Sequence, residues 1–288
     1  MGRGLGVEAI ISRSLLNMLK GFWAELYQFT LRNALACIFP VFVFGMLAVS
    51  KMLPSYLMPR YDFLLLACLA MQVWMYRKGL ETRDEVLVIC LFHYLGLMME
   101  IYKVRMGSWS YPEFGYTKVY GVPLYSGFMY ASVASFMCQA WRRFNLEITG
   151  WPNRTVAMLL GMAIYFNFFT HHYLYDFRYI LTGLILICFY KARVWYSTGQ
   201  DTRRWMPVSL SFILIGLFIW FGENIATFFG AWKYAHQHSG WQVVKMQKLG
   251  SWTLMCIVSY IIVAELKFLK GSKLPVSGSQ LTTESDNS

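Results

Sequence analysis

The chain has 288 residues, of which 57% are hydrophobic and only 14% charged, and its mean hydropathy is +0.42. Soluble domains carry about 25% charged residues, so the excess of apolar over charged side chains excludes a water-soluble globule. The formal net charge of +11 does not call for nucleic acid, because lysines and arginines flanking membrane helices produce the same excess.

Residues 1–32 carry Arg3, Arg13, Lys20 and Arg32 and no apolar stretch ending in a small-residue cleavage site, so no cleavable signal peptide is expected. Val7, Ile10, Ile11, Leu15, Met18, Leu19, Phe22, Trp23 and Leu26 recur at helical spacing, with Ser12, Arg13, Asn17, Lys20 and Glu25 mostly off that stripe. This pattern predicts an amphipathic helix lying on the inner membrane surface. The next run, 33–50, contains no charge, as a helix crossing the roughly 30 Å hydrocarbon core requires.

Eight spanning helices are predicted, near 33–50, 61–76, 86–102, 122–140, 156–171, 176–192, 206–226 and 250–267. The fold class is therefore an all-α membrane protein. The apolar runs lack the alternation of barrel strands, which excludes a β-barrel. Only His171 to Tyr175 join the fifth and sixth helices, so one of that pair is a candidate re-entrant segment. Residues 271–288 are rich in Ser, Thr and Gly without periodicity and read as a disordered tail. Each of the six cysteines falls in a different apolar segment with no CxxC spacing, the usage of small buried hydrophobes.

Seventeen of the 26 Lys and Arg residues lie in the N-terminus, the alternate loops that follow it and the C-terminus, against nine in the other loops. The positive-inside rule then places both termini in the cytoplasm of a bacterial inner-membrane protein.

The chain also repeats itself. Glu100 is followed by Gly107, Trp109 and Tyr111, and Glu223 by Gly230, Trp232 and Tyr234, at a constant offset of 123. Upstream, Tyr76, Gly79, Glu81, Thr82 and Arg83 return as Tyr196, Gly199, Asp201, Thr202 and Arg203 at an offset of 120. The expectation is a tandem 4+4 repeat, 33–152 and 153–270, whose halves point the same way about a pseudo-twofold axis along the membrane normal. Duplicated membrane proteins tend to place their working site between the copies.

Glu100 and Glu223 each end an apolar helix. A carboxyl at membrane depth is costly and usually faces the protein interior or a polar path. Partial burial favours its protonated form, which makes it a candidate acid. His93 lies two helical turns before Glu100 and could relay its proton. The alternative is that both Glu residues sit among headgroups and pair with Lys103, Arg105 or Lys233. Trp109, Tyr111, Trp232 and Tyr234 are ordinary aromatic-belt residues in one reading. In the other, their fixed spacing after Gly makes shaped loops that line a ligand cavity.

A second polar cluster joins Asn167, His171, His172, Asp176 and Arg178, with pairs four residues apart that would share a helix face. His171, His172 and Asp176 are candidates for base chemistry, or for an exposed polar turn. For His93 and Glu100 no metal site is expected, since one helix supplies only two ligands there. His236 and His238 lie in a hydrophilic loop and are expected to be solvated. The Glu81–Thr82–Arg83 and Asp201–Thr202–Arg203 boxes suit helix capping or an anionic headgroup held by the Arg. Pro123 suits a first helical turn, and Gly127, Ala131, Ser132 and Ser135 give a small-residue packing face.

The stretches Gly107–Glu113, Gly121-Val122-Pro123-Leu124-Tyr125-Ser126-Gly127-Phe128-Met129-Tyr130 and Ala140-Trp141-Arg142-Arg143-Phe144 resemble the YoaT-like family of bacterial membrane proteins. So do Asn167-Phe168-Phe169-Thr170-His171-His172 and Glu223-Asn224-Ile225-Ala226-Thr227-Phe228-Phe229-Gly230-Ala231-Trp232. The resemblance runs from about Ala34 to Lys267 and implies a domain of unknown function. A fainter likeness, Trp-x-Tyr followed by Gly-Val-Pro-Leu opening a helix, is similar to heterodimer-type lycopene cyclases and bisanhydrobacterioruberin hydratases. In the cyclases paired acids follow the Pro-Leu; here those positions are Tyr125 and Ser126, so cyclase activity does not carry over. What that likeness implies is a ligand type: a long apolar lipid or isoprenoid in an aromatic cavity. The functions expected are thus an intramembrane enzyme or binder with Glu100 and Glu223 as acids, a small-solute transporter, or a structural membrane protein.

Overall fold

The computed structural model describes residues 4–54, 58–198, 203–237 and 239–269, with side chains from Leu16 onward apart from Asn17. The first half of the N-terminal stripe, Gly199 to Thr202 of the second upstream box, His238 and the 271–288 tail lie outside the described residues.

Each of the eight predicted helical segments falls on a helix. They follow a long α1, Gly4–Ala36, and are α2 (Ile38–Ser50), α3 (Arg60–Arg77), α4 (Arg83–Arg105), α5 (Ser126–Arg143), α6 (Arg154–Thr170), α7 (Arg178–Cys188), α8 (Val208–Phe228) and α9 (Gln247–Leu269). Three of them, α4, α8 and α9, are long and apolar enough to cross a membrane. A fourth crossing is available if α1 from Met18 and α2, bent by 62° at Cys37, span together. At 11 residues α7 is about 17 Å long, short of the roughly 30 Å core. The outward faces suit hydrocarbon: Leu87, Leu91 and Met98 on α4 and Phe218, Phe221 and Ile225 on α8 are exposed.

The core forms where α5 and α9 meet the other helices. α4 packs along α5, α8 along α9, and α5 and α4 both touch α9. α1 and α2 cover α5, α3 lies on α2, and α6 and α7 flank α9. Small residues permit the close approaches. A Cβ on Gly96 would lie 2.4 Å from the Tyr130 ring, and one on Gly127 2.7 Å from the His93 carbonyl, so α4 and α5 nearly touch. Gly216 does the same beneath Thr253 at the α8–α9 contact.

Short strands tie the ends. β1 (Trp109–Ser110) pairs antiparallel with β7 (Lys233–Tyr234), and β2 (Lys118–Val119) with β3 (Val122–Pro123). Pro123 thus sits in a hairpin, and α5 begins three residues later than its first-turn placement implied. β4 (Glu147–Thr149), β5 (Arg193–Ser197) and β6 (Arg203–Pro207) make a three-stranded antiparallel sheet. On it Arg193 stacks over Trp205 and Arg203 over Trp195, an interfacial pattern of cations on indoles.

Thr82 caps α4 in a reciprocal box: it accepts from Glu85 N–H, and Glu85 accepts from Thr82 N–H at 2.9 Å. Glu81 beside it is buried and accepts from Gln72 and Ser135.

Candidate functional site

The two Glu boxes fold alike. α4 ends with Gly107 at φ +70° and α8 with Gly230 at φ +68°. In each, the glycine N–H bonds back three residues and the next N–H back five: Gly107 to Val104 and Ser108 to Lys103, Gly230 to Thr227 and Ala231 to Ala226. This Schellman cap needs a left-handed residue at the glycine. It turns each chain back toward its own helix, which brings Trp109 and Tyr111 over Glu100 and Tyr234 over Glu223. A Cβ on Gly107 would meet nothing within 4 Å, so Gly107→Ala has only the left-handed backbone to pay for. The expected loss is about 1–2 kcal/mol, read as a lower thermal unfolding midpoint in detergent.

The turned-back strands then meet each other. Trp109 lies opposite Tyr234 and Ser110 opposite Lys233. Ser110 and Lys233 hold the same position in their boxes, ten residues after their Glu. Each copy therefore pairs its centre with the other copy's centre. The Trp109 and Tyr234 rings cross edge-on at 5.8 Å.

Beneath this ribbon both carboxylates are buried and accept only from aromatic donors. Trp109 Nε1–H (2.6 Å) and Tyr111 O–H (2.7 Å) donate to Glu100 Oε2, and Tyr130 O–H (2.7 Å) to Oε1. Tyr234 O–H donates to Glu223 Oε1 and Trp252 Nε1–H to Oε2. Tyr111 and Tyr234 thus play one role in two copies. Burial, and then the neighbouring carboxylate, hold both phenols well above their ordinary pKa, so each stays an O–H donor. Among the described residues neither Glu forms an ion pair with Lys103, Arg105 or Lys233.

Glu100, Glu223, Trp109, Tyr111, Trp232 and Tyr234 all line one cavity of 690 Å³, within the usual range for ligand sites. It is a groove between α5, α8 and α9, roofed by α1 and α2. Along α5 its lining runs from Met129 to Phe144, about 22 Å at 1.5 Å per residue. The carboxylates stand at one end. Phe29, Phe144 and Tyr196 cluster at the other, with Phe29 5.4 Å from Phe144 and 6.0 Å from Tyr196. Between them the walls are apolar apart from isolated groups such as Asn33, Ser132 and Ser259.

Three residues of this site were not anticipated. Tyr130 and Trp252 donate to the two carboxylates from the helix following each box, and their rings lie 6.4 Å apart. Their sequence offset of 122 is the signal that could have found them. Lys248 is the third: its Nζ stands 5.1 Å from the Trp109 ring and 4.8 Å from the Tyr234 ring.

The remaining candidates fall elsewhere. His93 packs 4.5 Å from the Phe128 ring and does not line the groove. Seven residues separate it from Glu100 by about 10 Å along the axis, so the expected relay is not assembled. His171, His172 and Asp176 lie in the α6–α7 turn, also outside the groove. The helix stops at Thr170, so the four-residue spacing makes no His172–Asp176 pair. Asp176 takes Asn167 (3.2 Å) and Arg178 (3.0 Å) instead. Lys103 Nζ lies 3.3 Å from His171 Nε2 and 3.0 Å from His172 Nε2. His171 Nδ1 meets the Asn167 carbonyl at 3.0 Å, which leaves its Nε2 to accept from Lys103. Among the described residues no three His, Cys, Asp or Glu side chains gather as a metal site would require.

Burial, and then Lys103, hold His172 down to about 4, below the ordinary value of about 6.5. The unfolded chain then binds the proton first as pH falls, so stability drops between about 6.5 and 4. Thermal unfolding across that window should show the drop, and His172→Gln should flatten it.

A family model described as a protein of unknown function, DUF817, matches residues 25–260. The chain belongs to the DUF817 family. Its similarity to the uncharacterized protein YoaT of Bacillus subtilis (strain 168) is 54% identity over 246 residues, 85% of this chain and 93% of that one. No solved structure matches. The DUF817 match spans both Glu boxes and the whole groove lining except Val263.

Proposed function

We propose that this DUF817 chain is a multi-pass protein of the bacterial inner membrane that binds a long apolar lipid or isoprenoid between two halves and acts on it with Glu100 and Glu223 as acids. The halves are the tandem four-helix units 33–152 and 153–270, eight spans related by a pseudo-twofold axis along the membrane normal. The 1–32 segment and both termini are cytoplasmic, and 271–288 is a tail. The matched Schellman caps and the centre-to-centre pairing of the two boxes support the twofold relation. One observation carries the ligand reading: both carboxylates end the same long apolar groove.

The chemistry follows from the donors. At rest the carboxylates accept. Tyr111, Tyr130 and Tyr234 hydroxyls can each rotate and accept a carboxyl proton instead, so the site tolerates both protonation states. A protonated Glu at the groove end is placed to pass its proton to an unsaturated ligand. Trp232, Trp252 and Tyr130 offer ring faces to the cation that results. Isolated Asn and Ser side chains in the groove wall make a poor ion path, which weighs against the transporter reading.

The test is extraction of bound species from the purified wild type and from Glu100→Gln and Glu223→Gln. Wild type is expected to carry a defined apolar species and the Gln variants a chemically different, unconverted one. Identical bound species in all three sink the acid role, and empty protein throughout sinks the ligand.

A further inference from the structure

Next to the groove is a second, smaller space of 280 Å³. Tyr234 lines both, so the two adjoin at the carboxylate end. The chemistry changes abruptly between them. The groove is apolar, whereas this vestibule is lined by Lys245, Lys248 and His236 together with Ser108 and Tyr234, and among the described residues by no carboxylate.

We infer that the vestibule holds the phosphate-bearing head of the lipid whose chain fills the groove. The inference rests on the ligand reading above and narrows it to an anionic amphiphile.

The ammonium groups of the two lysines there make no hydrogen bond or ion pair among the described residues, although Lys248 feels both Glu carboxylates electrostatically. Glu100 and Glu223 are the nearest acids, yet their oxygens take Trp and Tyr donors, and Lys248 makes no hydrogen bond or ion pair with either among the described residues. Its ammonium stands over the Trp109 and Tyr234 rings at the boundary of the two spaces. All three of its N–H donors remain for an incoming anion. Lys245 is exposed and also unpaired among the described residues. His236 lies flat on Tyr234, with rings 5.7 Å apart and 11° from parallel, and its buried Nε2 has no partner among the described residues. A buried ring nitrogen is costly to leave unmatched, and a phosphate oxygen would match it.

The background field is mixed. α9 begins at Gln247 with no acidic residue in its first turn, so the positive end of its dipole is not neutralised there. Lys103 and Arg178 act electrostatically on Lys248 in the same sense, and Glu223 and Glu100 in the opposite one. The vestibule's own lining is cationic, so a quaternary ammonium head would meet Lys245 and Lys248 directly.

The experiment uses the full-length protein in detergent and native mass spectrometry with three chain-matched probes: hexadecyl phosphate, hexadecanol and hexadecyltrimethylammonium. Hexadecyl phosphate should bind about tenfold tighter than hexadecanol, the ratio given by about 1.4 kcal/mol of head-group attraction. Lys248→Gln and Lys245→Gln should remove that advantage, bringing hexadecyl phosphate level with hexadecanol measured on the same variant. Val133→Trp, which fills the groove, should abolish all three. Size-exclusion profiles establish that each variant is folded. Equal binding of phosphate and alcohol, or preference for the ammonium probe, overturns the head-group inference while the groove stands. Binding of no probe to wild type overturns the groove reading itself. Inorganic phosphate that binds as tightly as hexadecyl phosphate would identify a free-phosphate site to which the groove contributes nothing, and would also overturn the inference.

Discussion

Glu85→Ala is expected to cost about 3–5 kcal/mol, the usual penalty for removing one partner of a buried ion pair. Glu85 is only 1% exposed. Its Oε1 receives Lys267 at 2.7 Å, and Arg142 stands 3.2 Å from Oε2. The same oxygen accepts Thr82 N–H and closes the cap of α4. One side chain therefore joins the start of α4, the end of α5 and the end of α9. Deleting it opens the cap and leaves the Lys267 ammonium, whose side chain is 12% exposed, with neither water nor a counter-ion. Arg142 stays half-solvated and suffers less. Unfolding titrated with SDS in bicelles measures the loss. Glu85→Gln with Lys267→Met should recover most of it, because a buried pair can often be exchanged for apolar groups at little cost. A double variant as unstable as Glu85→Ala would show that the cap and packing, not the charge, hold this end.

The repetition in the sequence was informative because it reports backbone geometry. A glycine seven residues after each Glu implied a shaped turn, and both turns are left-handed Schellman caps. Helical segments were legible from apolar runs alone. Their number of crossings was not, since length decides crossing: α7 stops at Cys188 and the chain continues as β5. The run Arg193–Ser197 was hidden because its β-branched and aromatic residues also suit a helix end beside the membrane. The kink at Cys37 is announced by Pro40, which has no N–H for the Ala36 carbonyl and crowds it. Packing fixes its direction, as α1 and α2 both lie against α5.

At the groove, the box residues stand out by their repeated spacing, and Tyr130, Trp252 and Lys248 lie outside the boxes. Tyr130 reaches Glu100 because its ring rests on Gly96, one turn before that Glu on α4. Such a contact between helices leaves no spacing along one of them. Nothing in the spacing around Lys248 marks it, and only the pairing of β1 with β7 brings both rings under it. The His cluster failed for the opposite reason: its spacing was meaningful only if the helix continued past Thr170, and it does not.

Glu100 should separate acceptor from acid most sharply. Glu100→Ala removes the acceptor for Trp109 N–H, Tyr111 O–H and Tyr130 O–H at once. A buried donor without a partner costs about 1–3 kcal/mol. Water entering from the adjoining groove keeps each near the low end, so the expected loss is about 3 kcal/mol in total. Glu100→Gln behaves differently. Its carbonyl can take the Oε2 place, where Trp109 and Tyr111 both donate, and its amide then faces Tyr130, whose hydroxyl rotates to accept. All three aromatic groups stay matched, and the expected loss is about 1 kcal/mol or less. SDS unfolding of the two variants side by side gives the difference. A Gln variant as unstable as Ala would mean that Glu100 is needed as a charge beside Lys248. A Gln variant that folds normally but carries an altered bound species would leave the proton of Glu100 as the group that matters.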